Sequence, residues 1–245
     1  MSFERVSSPK SVESHPALRN LEFHSIKAIT LDVGGTLIEP WPSVGKVYAS
    51  CARECGLGDI PEAVLEERFH QAWKMKTKFE YGLHEWRIIV GQCFEPYCPP
   101  EKMDRIFEAA YLAFTKPEAW SVFSDVFPTL RVLKKAGIRL AAISNWDERL
   151  PALLDQLKLS EYFDFMMVSG IEKCHKPDIR LFQKACERLQ VEPEHTLHVG
   201  DHPVEDIQGC RNAGMHGLLL QRSEKTSHEL ALTDLIPLQT LTQTA

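Results

Sequence analysis

Five short segments of almost continuous apolar residues limit what this chain can fold into. Polar residues or glycine bound each segment, and the segments are residues 26–33, 138–144, 163–169, 196–200 and 217–221. Runs of this length indicate strands buried on both faces, as in a parallel sheet. Between the later runs, apolar residues recur at helical spacing in residues 127–136, 148–157, 179–189 and 204–213. The alternation predicts a doubly wound α/β domain with right-handed crossovers.

The connection between the first two predicted strands is far too long for an ordinary crossover. Its middle part has helical patterning, and glycine and proline separate candidate helices at residues 43–55, 61–78, 83–94 and 100–114. We therefore predict an all-helical insert placed directly after the first strand. The predicted parts are a flexible leader (residues 1–22), an α/β core (residues 23–40 and 120–245) and the helical insert (residues 41–119).

Composition excludes several classes of protein. The net charge is −6 and no long run of Lys or Arg occurs, so we expect no nucleic-acid partner. No apolar run reaches the length of a membrane span and the first twenty residues lack an apolar signal segment, so we expect no membrane partner. The seven cysteines are scattered without a zinc-like CxxC pair, which favours reduced thiols and a cytoplasmic location.

The candidate chemistry lies at the carboxyl ends of the predicted strands, which is where open α/β sheets bind ligands. The residues found there are Asp32 to Thr36 after the first strand, Ser144 and Asn145 after the second, Lys176 after the third, and Asp201 and Asp206 after the fourth. Three carboxylates, a hydroxyl and a lysine are therefore expected at one edge of the sheet.

Such a set of side chains suits phosphoryl transfer. Asp32 would attack phosphorus and form an aspartyl-phosphate. Asp201 and Asp206 would hold Mg²⁺ through oxygen, and the cation would reduce the repulsion between the nucleophile and the phosphate. Ser144 would bind phosphate oxygens with backbone N–H groups, and Lys176 would neutralise developing charge.

These motifs, in this order, resemble the signature of the haloacid dehalogenase superfamily. They are DxxGT after the first strand, Ser-Asn after the second, then Lys-Pro-Asp and GDxxxxD. The helical insert is similar to the C1 cap of subfamily IA, and the stretches GIRLAAISNWDERL, LFQKA and HVGD resemble its rhythmically-expressed-gene-2-like members. The resemblance covers about residues 26–220 and implies a Rossmann-like core, Mg²⁺ as cofactor and a small phosphorylated substrate.

The resemblance also implies a role for each matching residue. The implied metal ligands are Asp32, Gly34 (through its carbonyl), Asp201 and Asp206. The implied substrate-binding residues are Gly35, Thr36, Ser144, Asn145 and Lys176. The implied catalytic residues are Asp32 as nucleophile, Lys176 and Ser144.

Gly34 departs from the family pattern. Family phosphatases usually carry a second Asp at this position, which protonates the leaving group and later activates water. Glycine has no side chain for either task, and the loss of a general acid–base group typically costs about 10²- to 10⁴-fold in rate. His202 lies beside the predicted metal site and is a less favoured substitute for that acid.

Three hypotheses follow from this departure. The chain is a slow phosphatase that favours good leaving groups, such as aryl phosphates, acyl phosphates or anhydrides. Alternatively, it is a phosphate-binding or interaction protein that has lost turnover. The third hypothesis is a carbon–phosphorus hydrolase resembling phosphonoacetaldehyde hydrolase, in which a cap lysine forms a Schiff base; the candidates are Lys74, Lys76 and Lys78.

Overall fold

The structure is a computed structural model that describes residues 15–18, 25–76, 80–222 and 231–242. The strands among these residues are β1 (Ala28–Leu31), β2 (Ile38–Pro40), β3 (Trp120–Val122), β4 (Arg139–Ser144), β5 (Phe165–Val168), β6 (Thr196–Gly200) and β7 (His216–Leu219). The helices are α1 (Val44–Glu54), α2 (Glu62–Met75), α3 (Leu83–Phe94), α4 (Met103–Ala113), α5 (Val126–Lys135), α6 (Leu150–Gln156), α7 (Ser169–Glu172), α8 (Ile179–Leu189) and α9 (Gly209–Asn212).

A five-stranded parallel sheet in the order β5-β4-β1-β6-β7 forms the centre of the core. At its middle, Leu31 of β1 lies opposite Ala142 of β4 and Val199 of β6. The predicted doubly wound α/β fold is therefore confirmed. Four of the five sheet strands fall within the predicted apolar runs, and β7 begins one residue before its run, at His216. Strands covered on both faces need apolar residues at successive positions.

Helices cover both faces of this sheet. Along β4, Leu140 and Ala142 join the core cluster that includes α5 and α6, whereas Ile143 joins the cluster around α8 and α9. Successive side chains of a strand point to opposite faces, so one strand contributes to two apolar layers. The carboxyl edge of the sheet remains uncovered by these helices.

Helices α1 to α4 form the all-helical insert and bury a separate apolar cluster that includes Tyr48, Phe94 and Ile106. The chain enters and leaves the insert through an antiparallel pair in which Ile38 of β2 lies opposite Val122 of β3. Sequence patterning did not predict this pair, because three residues are too few to display a strand period. The pair ends at Pro40 and Trp120, next to the predicted limits of the insert.

Two described segments near the ends of the sequence pack against the core. Pro16–Leu18 form a short 3₁₀ turn, and Leu18 is completely buried in the main core cluster. At this point the predicted flexible leader is part of the folded unit, because an apolar side chain gains free energy by leaving water; residues 1–14 and 19–22 lie outside the described residues. Near the other terminus, Ile236–Thr242 form a 3₁₀ helix that packs against α5.

Within the described ranges, no helix has both the length and the apolar character needed to cross a bilayer.

Candidate active site

The predicted motifs meet in a cavity of about 340 Å³ between the carboxyl edge of the sheet and the helical insert. The sheet side supplies Asp32, Gly34, Gly35, Ser144, Asn145, Lys176, Asp201 and Asp206. The parallel arrangement of β1, β4 and β6 causes this convergence, since their carboxyl ends lie side by side.

Lys176 links two carboxylates that come from different strands. Its Nζ lies 2.5 Å from Oδ1 of Asp32 and 2.5 Å from Oδ1 of Asp206. The Ser144 hydroxyl donates a hydrogen bond of 3.2 Å to the same oxygen of Asp32. The lysine side chain is only 2% exposed, and a charge buried so deeply is stable only when it is paired. Lys176 therefore fixes both carboxylates at the base of the cavity.

The pKa values of the two carboxylates that contact Lys176 are shifted in opposite directions. Burial and the Asp206 charge raise the pKa of Asp32, although Lys176 opposes them. Burial alone would also raise the pKa of Asp206, but Lys176 and His198 outweigh it and hold that pKa well below its usual range. Burial lowers the pKa of Lys176, and the two neighbouring carboxylates reverse this and raise it. Asp206 and Lys176 are thus a firmly ionised pair.

Asp201 is the third carboxylate of the cluster. It reaches solvent in the cavity, but the surrounding protein and the charges of Asp32 and Asp206 raise its pKa to about 7. One oxygen from each of the three carboxylates lies within 4.8 Å of the others. Three carboxylates and one ammonium leave a formal charge of −2, which a divalent cation would neutralise. Oxygen donors and this charge both fit Mg²⁺.

Gly35 is the residue that lets Asp201 approach so closely. A Cβ atom at Gly35 would lie 2.5 Å from Oδ2 of Asp201, which is inside van der Waals contact. The glycine also has φ of 73°, a left-handed conformation that side-chain-bearing residues rarely adopt. The left-handed backbone therefore favours glycine, and any side chain here would displace the Asp201 carboxylate.

Trp146 occupies the space next to Gly34. A Cβ atom at Gly34 would lie 3.2 Å from Cζ3 of the Trp146 ring. The ring itself packs against Trp120, with 5.0 Å between the ring centroids. An aromatic wall therefore stands where an acid at position 34 would extend.

Asn145 and Thr36 are placed differently from the other predicted phosphate-binding residues. The Asn145 amide donates to the Lys176 carbonyl and to Glu205, and its oxygen accepts from the Lys176 N–H. These bonds use both amide hydrogens, so Asn145 holds the lysine loop in place here. Thr36 is fully buried and does not line the cavity, and its Oγ1 has no hydrogen-bond partner among the described residues.

Sequence reasoning missed His198, which lies beneath the cluster. Its Nε2 is 3.1 Å from Oδ1 of Asp206, and its Nδ1 is 2.8 Å from Oγ1 of Thr30. The backbone N–H of His202 donates to the other oxygen of Asp206. Asp206 is therefore fixed from three sides. A polar residue inside the buried run TLHVG was the sequence signal that could have revealed His198.

The segment after β6 is a π-helical turn, Pro203–Gln208, where the sequence predicted a helix over residues 204–213. Nδ1 of His202 caps this turn by accepting hydrogen bonds from the N–H groups of Val204 and Glu205. The turn brings Asp206 into the cluster and ends at α9. In this structure His202 acts as a cap; its suggested role as substitute acid stays a prediction.

The helical insert covers the cavity with aromatic residues and one lysine. Trp73, Tyr81 and Trp86 of the insert line the cavity, as does Trp146 from the core. Lys76 also lines it, with Nζ 3.7 Å from the centroid of the Trp73 ring. Burial lowers the pKa of this lysine.

Comparisons with known proteins agree with the motifs. A family model described as a haloacid dehalogenase-like hydrolase matches residues 26–214. The Mus musculus haloacid dehalogenase-like hydrolase domain-containing protein 3 is 34% identical, covering 86% of this chain and 88% of the mouse protein. The Drosophila melanogaster rhythmically expressed gene 2 protein is 29% identical, covering 79% and 82%. The Methanopyrus kandleri glyceraldehyde 3-phosphate phosphatase is 29% identical, covering 86% and 91%.

A solved structure shows the same fold. The crystal structure of a HAD phosphatase from Thermococcus onnurineus superimposes with a TM-score of 0.62, covering 88% of this chain and 97% of the other. The two chains are 22% identical, so this likeness concerns the fold alone.

Proposed function

The chain belongs to the haloacid dehalogenase-like hydrolases, and on that premise we propose that it is a Mg²⁺-dependent phosphatase that forms an aspartyl-phosphate at Asp32. The observation that carries this proposal is the position of Asp32 in the cavity, held by Lys176 and within 4.8 Å of Asp201 and Asp206. Similarity to an archaeal glyceraldehyde 3-phosphate phosphatase supports a small phosphorylated substrate.

The cluster assigns a task to each side chain in the first step. Lys176 and Ser144 hold Oδ1 of Asp32, and we assign Oδ2 to the attack on phosphorus. As the bond from phosphorus to the leaving oxygen breaks, Lys176 offsets the negative charge that builds up on the phosphoryl group. Asp32, Asp201 and Asp206 would hold Mg²⁺ together with the Gly34 carbonyl, and the bound cation would supply charge neutralisation.

The absence of a side chain at Gly34 affects both steps of the reaction. In the first step, no carboxylic acid at this position donates a proton to the leaving oxygen. In the second step, no carboxylate there removes a proton from the water that attacks the aspartyl-phosphate. Each step loses a contribution of typically about 10²- to 10⁴-fold. We therefore propose slow turnover with a preference for good leaving groups, such as aryl phosphates, acyl phosphates or anhydrides.

The test is the pre-steady-state time course of 4-nitrophenyl phosphate hydrolysis with Mg²⁺. We expect a burst of nitrophenol approaching one equivalent of enzyme, followed by slow turnover. The Asp32→Asn variant and a sample with EDTA should both lack the burst. A flat trace equal to that of Asp32→Asn would contradict the proposal and favour a binding protein that has lost turnover.

Lys76 favours a second candidate, carbon–phosphorus bond hydrolysis through a Schiff base. Among the lysines considered from sequence, Lys76 lines the cavity, Lys74 is exposed and Lys78 lies outside the described residues. Its lowered pKa increases the fraction of neutral amine, which can attack an aldehyde carbonyl and expel water. Borohydride treatment with phosphonoacetaldehyde should then leave an adduct on the wild type and none on Lys76→Met. No adduct on the wild type would exclude this candidate.

The thiols support the proposed compartment. All seven cysteines are free, and six of them are buried. Unpaired buried thiols are typical of proteins in a reducing environment. We therefore propose a cytoplasmic location.

A further inference from the structure

Aromatic side chains form much of the wall of the cavity above Asp32. The rings come from both parts of the fold and are Phe69, Trp73, Tyr81, Trp86, Trp120 and Trp146. Several of them already stack on one another, including Trp73 on Trp86 with ring centroids 5.7 Å apart and planes inclined by 19°. These rings are therefore held in place before any ligand binds.

An apolar recess continues from the cavity into the interface between the insert and the core. It has a volume of about 80 Å³ and shares Phe69, Trp86, Trp120 and Trp146 with the cavity. Its only lining cation among the described residues is Arg149, whose guanidinium lies 2.6 Å from the fully buried carboxylate of Asp147. Because that charge is already matched, the recess suits an uncharged apolar group.

The polar end of the cavity imposes a second constraint on the substrate. Position 34 is glycine and the Trp146 ring lies beside it, so no carboxylic acid at this position can donate a proton to the leaving oxygen. Without an acid at position 34, the site favours a leaving group that is stable as an anion. Among good leaving groups, a phenolate always carries a planar apolar ring, whereas the carboxylate released from an acyl phosphate or the phosphate released from an anhydride need not carry one.

We infer that the site selects aryl phosphates, which are phosphate monoesters of phenols. The phosphate would lie at Asp32 and the ring between the tryptophans that lead into the recess. The hydrolysis of such esters rests on the proposed phosphatase function. The preference for binding an aromatic ring depends only on the aromatic residues that line the cavity and the recess. Aromatic pairs contribute roughly 0.5–1.5 kcal/mol beyond the area they bury, so a few contacts suffice for a clear preference.

Binding of two phosphonates, which cannot be hydrolysed, tests the walls separately from catalysis. Calorimetry with Mg²⁺ present would compare 1-naphthylphosphonate with methylphosphonate. We expect the naphthyl compound to bind roughly tenfold more tightly or better. Trp86→Leu should reduce this ratio by about three- to tenfold. Tyr97→Leu is the matched control, because Tyr97 is a cap aromatic that is 39% exposed and does not line the cavity.

Equal affinity for the two phosphonates, or an equal effect of Trp86→Leu and Tyr97→Leu, would overturn the inference. If circular dichroism shows that Trp86→Leu is unfolded, Trp146→Leu provides the same comparison from the core side of the cavity. Both residues line the cavity and the recess.

Kinetics separate failure of this inference from failure of the proposed function. We expect kcat/KM to be higher for 1-naphthyl phosphate than for acetyl phosphate, whose leaving group is better but has no ring. If acetyl phosphate is hydrolysed equally well or better in an Asp32-dependent reaction, the phosphatase stands and the aromatic preference is refuted. If neither compound is hydrolysed, the proposed function fails, and the phosphonate affinities alone decide whether the aromatic site exists.

Discussion

Replacing Gly34 with aspartate tests why this site should be slow. The backbone at Gly34 is outside the left-handed region, so a side chain is conformationally allowed there. However, the new Cβ would lie 3.2 Å from the Trp146 ring, which must shift by a few tenths of an ångström. Trp120 packs against the same indole and limits its freedom to move.

The rate gain from a restored general acid and the cost of the tight contact with Trp146 can be compared as free energies. A general acid contributes about 10²- to 10⁴-fold, which corresponds to roughly 3–5 kcal/mol of barrier. A single tight contact is a mild case of overpacking and costs about 1 kcal/mol. If all of that cost raised the barrier by misplacing the carboxyl group, it would reduce the rate by about a factor of five. The gain for Gly34→Asp on an alkyl phosphate should therefore remain at least about tenfold.

Steady-state hydrolysis of ethyl phosphate and 4-nitrophenyl phosphate gives the measurement. In kcat/KM, which reports formation of the aspartyl-phosphate, the alkyl ester should gain more than the aryl ester, because only the alkoxide needs a proton to leave. Gly34→Ala is the matched control, since it makes the same contact with Trp146 but carries no acid. Adding Trp146→Leu to Gly34→Asp should increase the gain further. If Gly34→Asp is no faster on ethyl phosphate than Gly34→Ala while both variants bind phosphate, the reasoning about the missing acid is refuted.

Three further outcomes test the charged cluster. Lys176→Met should lower the free energy of unfolding by about 3–5 kcal/mol near neutral pH, because it leaves Asp32 and Asp206 buried without their cation. This loss of stability should shrink as falling pH protonates the two carboxylates. A urea denaturation midpoint equal to that of the wild type would contradict the prediction. Gly35→Ala should weaken Mg²⁺ binding at least about tenfold in calorimetry, since its Cβ would lie 2.5 Å from Asp201; unchanged affinity in a folded variant would count against the metal site. Because the pKa of Asp201 is raised to about 7, its protonated form predominates below pH 7. The apparent Mg²⁺ affinity should therefore fall by up to about tenfold per pH unit below pH 7 and level off above pH 7. A pH profile of Mg²⁺ affinity without a bend near pH 7 would refute this assignment.

The sequence by itself was sufficient for the α/β core and for the convergence of its polar residues. Buried parallel strands need continuous apolar runs, and the carboxyl ends of such strands meet at one edge. Asp32, Ser144, Lys176 and the two aspartates after β6 could therefore be assigned to one site from their positions along the chain. The length of the first connection likewise predicted the helical insert.

Contacts between distant segments were decided by the tertiary structure alone. The short pair β2–β3 has no detectable period, and the engagement of Asn145 with the Lys176 loop depends on how two loops pack. Packing between distant segments also places His198 beneath Asp206 and Trp146 beside Gly34. Local periodicity shows that a side chain is buried, but only the packing of strands, loops and insert determines which atoms it meets.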